Sequence, residues 1–481
     1  MFWRGVIGYL PANLIQGVVG LLGIVVFTRL LSPEAYGAYA LAFSVSTLVH
    51  TIGFTWLEAA MARFYAREAE AGRLAGHFAT LYRIFAVLLL ALPIVAAAGL
   101  WLIPLAPPLR LAVGAGLAAI PFRSLAKLAQ EHRRAAGRVR SSALLDIGQT
   151  TGAFLIGAAL AALGAGGAAP MIGMGLAAAL CLPFVLPGEL KSAAGGRYEP
   201  DRARDYLHYG LPVALSLILS LALATTDRFM LAGFLNETSV GVYHAGYSLS
   251  NRTLDVLFIW LGAAGGPAAI AALERGGREA LDRSAREQVS VMILICLPAA
   301  VGLALVARPL AGLMIGEGLR DGAARVTPWI AVSGFFAGVT TYYFHTAFTL
   351  ARRTRLLLVA MAVPAAANLA LTFVLIPRFG LDGAMWATAA SYLIGAVASF
   401  ALGRTVMPLP VPWTAVGKCA LAAAGMAVVV RLVPAWGGAP ELIAKAAIGV
   451  LAYAILAFAL DASGVRARCV VLVRSLQSAA A

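Results

Sequence analysis

The stretch LSPEAYGAYALAFSVS, from Leu31 to Ser46, recurs 204 positions later as LNETSVGVYHAGYSLS, from Leu235 to Ser250. The aligned pairs are Gly37 with Gly241, Tyr39 with Tyr243, Phe43 with Tyr247, Ser44 with Ser248 and Ser46 with Ser250. Each copy connects one long apolar run to the next. The repeat predicts that the two halves of the chain are built alike, and the alternative is that two turns converged on Gly and Tyr.

The composition of the chain indicates that its solvent is a lipid bilayer. Of 481 residues, 61% are hydrophobic and only 12% are charged, with a mean hydropathy of +0.86. A soluble domain has about 25% charged residues. The net charge is +15, but the lysines and arginines lie in short clusters between apolar runs, which is typical of membrane topology and not of a nucleic-acid surface. The cysteines are scattered without metal-ligand or disulfide spacing.

Apolar runs long enough to cross a bilayer, about 20 residues each, divide the chain into about fourteen predicted spans. The chain is therefore predicted to be an all-α membrane protein. The runs lie near residues 5–28, 35–57, 81–103, 109–130, 142–163, 168–188, 209–235, 239–262, 289–307, 327–349, 356–376, 381–403, 413–433 and 441–460.

Lysine and arginine alternate from one loop to the next, which sets the orientation. Short cytoplasmic loops carry the excess of these residues, and EHRRAAGRVR, ERGGREALDRSARE and ARRTR are such loops. The pattern predicts a bacterial inner-membrane protein with both termini in the cytoplasm. One predicted outer loop, with Arg308, Arg320 and Arg325, departs from the rule.

The repeat and the even number of spans predict a division into four parts. These are a six-helix lobe at residues 1–190, a cytoplasmic linker at 191–208, a second six-helix lobe at 209–404, and two further helices with a basic tail at 405–481. Both copies of the repeat lie on the outer side, so the lobes have the same orientation. Such parallel repeats imply an axis along the membrane normal and a substrate path between the lobes.

Three stretches resemble the polysaccharide flippases of the multidrug/oligosaccharidyl-lipid/polysaccharide exporter superfamily. They are TRLLSPEAYGAYALA from Thr28, TTDRFMLAGFLNETSVGVYHAGYSL from Thr225 and FGLDGAMWATAASYL from Phe379. The resemblance implies a transporter, not an enzyme, that carries an oligosaccharide linked to undecaprenyl pyrophosphate to the outer leaflet for surface or exopolysaccharide synthesis. It also implies alternating access, a coupling cation such as H⁺ or Na⁺ in some members, a polysaccharide polymerase as a partner, and no cofactor.

Charged residues within spans are costly and are therefore candidate substrate-binding groups. Asp227 and Arg228, in the seventh span, are the first candidates. Adjacent on a helix, they point about 100° apart and are not expected simply to pair with each other. Either Arg228 binds phosphate while Asp227 binds a coupling cation or positions the arginine, or both residues pair with other helices.

The other candidate arginines have a structural alternative each. Arg29 ends the first span and either meets substrate near the exit or caps its helix in the headgroup layer. Arg123 in the fourth span either contacts phosphate or extends to the inner interface. Arg252 shares a helix face with Asp255, which favours an internal ion pair.

Further polar residues are expected to serve mainly in packing. Glu58 and Arg63 are predicted at a solvated helix end, with a cytoplasmic gate as the alternative. For Asn13, Gln16 and His50, interhelical hydrogen bonds are favoured over sugar binding. Two single histidines, His244 and His345, are weak candidates for proton coupling.

Three other functions are compatible with the class of protein. A multidrug antiporter of the same superfamily is expected to have an acidic residue in its first span, and residues 6–28 have none. A lipid II flippase is expected to place several arginines from its opening helices in the cavity, and the first span of this chain offers only Arg29. A membrane glycosyltransferase or polymer ligase needs acidic catalytic motifs or a large outer loop. The sequence contains no GxxxxGK[ST] motif, so it does not predict ATP hydrolysis.

Overall fold

The computed structural model describes residues 2–467, with side chains from Ala12 onward, and within this range it contains helices and no strand. The all-α prediction is thus confirmed. Two compact units divide the chain, residues 1–244 and residues 245–481. The part of the predicted basic tail that follows Ala467 lies outside the described residues.

The first unit consists of eight helices and the beginning of a ninth. They are α1 (Phe2–Leu30), α2 (Pro33–Gly53), α3 (Thr55–Glu70), α4 (Leu74–Leu102), α5 (Pro107–Ala135), α6 (Val139–Ala162), α7 (Ala169–Ala193), α8 (Pro200–Phe234) and the first turns of α9 (Glu237–Leu305). Residues 200–208 of the predicted linker form the start of α8.

The second predicted span is a bent helix pair. Ser32 caps the start of α2 by accepting a hydrogen bond from the Ala35 nitrogen at 3.2 Å, and Pro33 occupies the first helical position. After Gly53 the chain turns at Phe54 and continues as α3, at an angle of 46°. Because α3 packs against α5 and α8, residues beyond the predicted end of this span remain within the packed part of the first unit.

Small residues allow the helices of the first unit to approach closely. A Cβ atom on Gly116 of α5 would overlap the Ser46 hydroxyl of α2 and lie 3.3 Å from the Ala42 carbonyl oxygen. A Cβ atom on Gly173 of α7 would lie 2.6 Å from the Gly157 nitrogen of α6. Close approach through glycine and alanine is typical of helix packing in membranes.

The second unit contains the rest of α9 and six further helices. They are α10 (Ala307–Met314), α11 (Glu317–Val339), α12 (His345–Leu350), α13 (Thr354–Val406), α14 (Trp413–Arg431) and α15 (Gly438–Ala459). A π-helix at Thr340–Phe344 joins α11 to α12, and the Gln288 side chain donates to the Tyr342 carbonyl oxygen there at 3.1 Å. This insertion of a side-chain donor explains the local widening of the helix.

In the second unit, α9 packs against α11 through small residues, as α2 packs against α5 in the first. A Cβ atom on Gly246 would lie 2.8 Å from the Ala323 carbonyl oxygen. Ser250 donates to the Thr327 carbonyl oxygen at 2.8 Å. Gly246 aligns with Ala42 and Ser250 with Ser46, so corresponding positions of the repeat face α5 in the first unit and α11 in the second.

Ten helices are long and apolar enough to cross a membrane, or eleven when α2 and α3 count as one span, among the residues that the structure describes. Two of these helices, α9 and α13, are longer than one crossing of the membrane requires. The 69-residue α9 contains non-helical residues at Gly276 and Gly277, and the 53-residue α13 contains one at Gly380. A helix of that length measures about 80–100 Å, against about 30 Å of hydrocarbon. The chain is therefore a multi-pass membrane protein, and the number fourteen stays a prediction.

Candidate functional site

The strongest candidates, Asp227 and Arg228, lie on α8 about two turns before its C-terminal end. Their side chains are buried, with 0% and 5% of the residue surface exposed. Because ionised groups in a membrane span are stabilised only by specific polar partners, both residues need partners on neighbouring helices.

Asp227 has its partner on α9. The Tyr243 hydroxyl donates a hydrogen bond to Oδ2 of Asp227 at 2.7 Å, and Tyr243 is itself fully buried. Tyr243 belongs to the second copy of the repeated stretch. This hydrogen bond to a carboxylate fixes its orientation.

Arg228 has its partner on α2. Its Nη1 donates to the Ser44 hydroxyl at 3.2 Å, and that hydroxyl in turn donates to the Ala40 carbonyl oxygen at 2.8 Å. Ser44 belongs to the first copy of the repeat. The two copies therefore hold the two adjacent charges, and the partners lie on different helices, as the angular separation of the side chains predicts.

Gly37 and Gly241 bring the two copies of the repeat together next to these partners. A Cβ atom on Gly37 would overlap the Glu237 carbonyl oxygen, and one on Gly241 would overlap the Pro33 carbonyl oxygen. His244 lies beside them, with its ring 5.5 Å from the Tyr36 ring. His244 therefore takes part in aromatic packing between the two copies of the repeat.

A second polar cluster lies at the bend between α2 and α3. His50 Nε2 is 3.0 Å from Glu58 Oε1, and His50 Nδ1 is 2.9 Å from the Ser124 hydroxyl on α5. Arg123, half-buried on α5, interacts electrostatically with Glu58 and Tyr39. The interhelical hydrogen bond predicted for His50 is thus confirmed.

The prediction of a solvated Glu58 is wrong. Only 9% of this residue is exposed, because α3 continues beyond the bend and packs against α5 and α8. Arg63, one turn and a half further along, is exposed as predicted, with its guanidinium 5.9 Å from the Tyr209 ring centre.

Two other candidate arginines are exposed. Arg29 Nη1 donates to the Val25 carbonyl oxygen of its own helix at 3.0 Å, which is the helix-end role considered for it. Arg252 lies in the second unit, and no ion pair among the described residues joins it to Asp255. The charge of Arg252 acts on Asp255 without a direct ion-pair contact, and Asp255 accepts a hydrogen bond from Asn251 Nδ2 at 2.5 Å, one turn earlier on α9.

The sequence does not predict the partners of several polar residues. Gln16 is expected to bond to another helix, and its partner is Asp146 on α6, to which it donates. The sequence does contain a signal for Asp146, an acidic residue inside a predicted span. Near the C-terminal end of α7, which is predicted to face the cytoplasm, buried Glu189 accepts a hydrogen bond from the Tyr82 hydroxyl at 2.7 Å and lies 2.8 Å from His132 Nδ1. Nearby, Glu68 pairs with Arg202 at 2.9 Å.

Comparison with known proteins identifies the family. The family described as polysaccharide biosynthesis protein matches residues 26–321, which is more than half of the chain. The chain belongs to this family. None of the curated proteins matches the sequence.

Solved structures share the fold of this polysaccharide biosynthesis protein. The lipid II flippase MurJ, in an inward closed conformation, has a TM-score of 0.75 at 15% identity, over 94% of this chain and 98% of its own. An inward-facing multidrug resistance MATE transporter of the MOP superfamily has a TM-score of 0.63 at 16% identity, over 81% and 94%. The Vibrio cholerae MATE transporter VcmN has 0.52 at 14% identity, over 84% and 96%. At these identities the likeness concerns the fold.

Proposed function

We propose that the protein is a flippase for a lipid-linked oligosaccharide in surface or exopolysaccharide synthesis. The substrate is an oligosaccharide on undecaprenyl pyrophosphate, and it moves from the cytoplasmic to the periplasmic leaflet by alternating access. The protein works in the bacterial inner membrane with both termini in the cytoplasm, and it passes its product to a polysaccharide polymerase.

The observation that carries the proposal is the buried pair Asp227 and Arg228 in a membrane span of a polysaccharide biosynthesis protein. Ionised groups in a membrane span are costly and are functional candidates by default. A guanidinium binds phosphate oxygens in a planar, bidentate arrangement, which suits a pyrophosphate headgroup. In this proposal Arg228 exchanges its Ser44 partner for the substrate, while Asp227, held by Tyr243, positions the arginine or binds a coupling cation.

Arg29, Arg123 and Arg252 are proposed as further cations along the substrate path. The sugars and the pyrophosphate travel in a polar cavity, and the prenyl tail stays in lipid. Moving one negative charge outward across an inside-negative membrane is favourable by about 2.3 kcal/mol per 100 mV. The membrane potential therefore favours export of an anionic headgroup.

The fold neighbours support two alternatives, each with a different substrate. A lipid II flippase and a multidrug resistance transporter adopt similar folds. Neither alternative explains membership of the polysaccharide biosynthesis family as directly, so they serve as outcomes of the test.

The proposal is tested by deleting the gene and analysing both the cell surface and the lipid-linked intermediates. We expect loss of one surface polysaccharide, with its lipid-linked unit trapped in the inner leaflet. An unchanged surface with altered drug resistance would favour the multidrug antiporter. Accumulation of lipid II in the inner leaflet would favour that substrate instead.

A further inference from the structure

The bend between α2 and α3 is bridged by an imidazole and a carboxylate. His50 lies on the last turn of α2, and Glu58 lies on the first turn of α3. Their closest atoms, Nε2 and Oε1, are 3.0 Å apart, and their side chains are 20% and 11% exposed. The strength of this contact therefore bears directly on the 46° angle between the two helices.

The second ring nitrogen of His50 is also satisfied. Its Nδ1 lies 2.9 Å from the Ser124 hydroxyl, which both donates and accepts hydrogen bonds. The site thus accommodates both protonation states of the ring. A charged ring donates to Ser124 through Nδ1 and holds its charge beside Glu58, whereas a ring that has lost the Nδ1 proton accepts from Ser124. Proton loss keeps the hydrogen bond with Ser124 but removes the attraction between two opposite charges.

Few other charged groups face this pair in the first unit. Arg123 on α5 interacts with Glu58 and with Tyr39 of α2. From α4, Phe85 packs against Phe54 at the bend, with ring centres 5.3 Å apart. On the α8 side, a Cβ atom on Gly210 would lie 2.5 Å from the Trp56 carbonyl oxygen, and Tyr209 faces Arg63.

We infer that His50 and Glu58 form a proton-binding site that controls the bend of the second span. With the proton bound, imidazolium and carboxylate attract each other across the bend and stabilise the angled helix pair. The proton leaves His50 Nδ1 for water, Ser124 turns its O–H toward the vacated nitrogen, and the angled state loses its ionic stabilisation.

The bend is linked to the candidate substrate site through α2. Ser44, the partner of Arg228, precedes His50 by six residues on the same helix, a rise of about 9 Å. A change in the angle of α2 therefore moves the Arg228 partner relative to α8. This consequence for transport, unlike the bend itself, rests on the proposed flippase function.

The bend is measured by the distance between spin labels on Glu34→Cys and Glu70→Cys, in a variant without native cysteines reconstituted in nanodiscs. With α2 and α3 of 21 and 16 residues, straightening lengthens this distance by about 4 Å. We expect the shorter distance at pH 5.5 and a shift toward the longer one at pH 8. His50→Gln and Glu58→Gln remove the pH dependence.

Two matched variants test whether any histidine or acid in the membrane has the same effect. His345→Gln changes a span histidine whose ring lies 3.4 Å from the Ser399 hydroxyl, and Asp146→Asn changes the acid bonded to Gln16. Both are expected to keep the wild-type shift. A wild-type distance that is the same at pH 5.5 and 8, or a shift that persists in His50→Gln and Glu58→Gln, would overturn the proton-binding site.

The same proteins are then assayed for flipping of a lipid-linked oligosaccharide at symmetric pH from 5.5 to 8. We expect the pH profile of the wild type to flatten in His50→Gln and Glu58→Gln. Flipping that is independent of pH, beside a pH-dependent distance, overturns only the link to transport. Absence of flipping at every pH overturns the proposed function and leaves the distance measurement to decide the site.

Discussion

Gly37 and Gly241, which occupy the same position in the two copies of the repeat, pack against each other reciprocally. A Cβ atom on either residue would lie 3.1 Å from the backbone nitrogen of the other, and each would overlap the carbonyl oxygen four residues before its counterpart. The residues at those carbonyls, Pro33 and Glu237, are themselves equivalent in the repeat. The contact therefore has the local symmetry that the sequence repeat predicts.

Substitution of Gly37 by leucine is expected to destabilise the protein because the backbones cannot separate without losing this contact. Overpacking of a tight interface costs about 1–3 kcal/mol. The thermal unfolding temperature of the purified protein in detergent should fall for Gly37→Leu. Gly233→Ala is the control, since a Cβ atom there meets nothing within 4 Å. Equal unfolding temperatures for Gly37→Leu and wild type would contradict the close contact.

Arg228→Ala is expected to abolish polysaccharide export at normal protein abundance, and Arg228→Lys to restore only part of it. Lysine keeps the charge but loses the planar set of donors. Ser44→Ala removes one hydrogen bond to a charged group, worth about 1.5–3 kcal/mol, and should have a smaller effect. Exported polymer and immunoblots measure this. Arg283→Ala, on a side chain 75% exposed, is the control. Full export by Arg228→Ala at normal abundance would contradict the assignment.

Asp227 and Tyr243 are expected to act as a unit. Tyr243→Phe removes the hydroxyl that donates to the carboxylate, so a second change, Asp227→Asn, should add little to its effect on export. A double-mutant cycle measures the coupling, which is about 0.5–3 kcal/mol for residues in contact. Tyr343→Phe, which removes a hydroxyl bonded to the Pro410 carbonyl oxygen at 2.6 Å, is the matched control and should be additive with Asp227→Asn. Additive effects for Asp227→Asn and Tyr243→Phe would show that the hydrogen bond is not used.

The predicted orientation is tested by cysteine labelling in a variant without native cysteines. Thr238→Cys lies at the start of α9 in a predicted outer loop, and Arg353→Cys lies in a predicted cytoplasmic loop; both positions are exposed. A membrane-impermeant maleimide should label Thr238→Cys in intact cells and Arg353→Cys only after permeabilisation. The reverse pattern would place both termini outside.

The sequence predicts those features of the site that arise from local pattern. Apolar runs predict the helices, and the repeat predicts which turns contain equivalent glycines. The adjacency of Asp227 and Arg228 predicts that their side chains diverge. Each of these depends on residues close together in the chain or on identical spacing in two copies, so no knowledge of the tertiary packing is needed.

The features that the sequence does not predict depend on contacts between distant residues. Glu58 follows a predicted span and therefore suggests a solvated helix end, but the bend at Phe54 turns α3 into the packed interior of the first unit. The partner of Gln16 lies 130 positions away. Asp255 accepts a hydrogen bond from Asn251 rather than a direct ion pair from Arg252, and sequence spacing of three or four residues permits both.

The central claim, that the protein flips a lipid-linked oligosaccharide, is tested most directly in proteoliposomes. The purified full-length protein is reconstituted with an oligosaccharide on undecaprenyl pyrophosphate, and the fraction accessible to an added glycosidase is followed over time. We expect the accessible fraction to rise from about half toward completion with wild-type protein, and to stay at half with Arg228→Ala or without protein. A fraction that stays at half with wild-type protein would contradict the account.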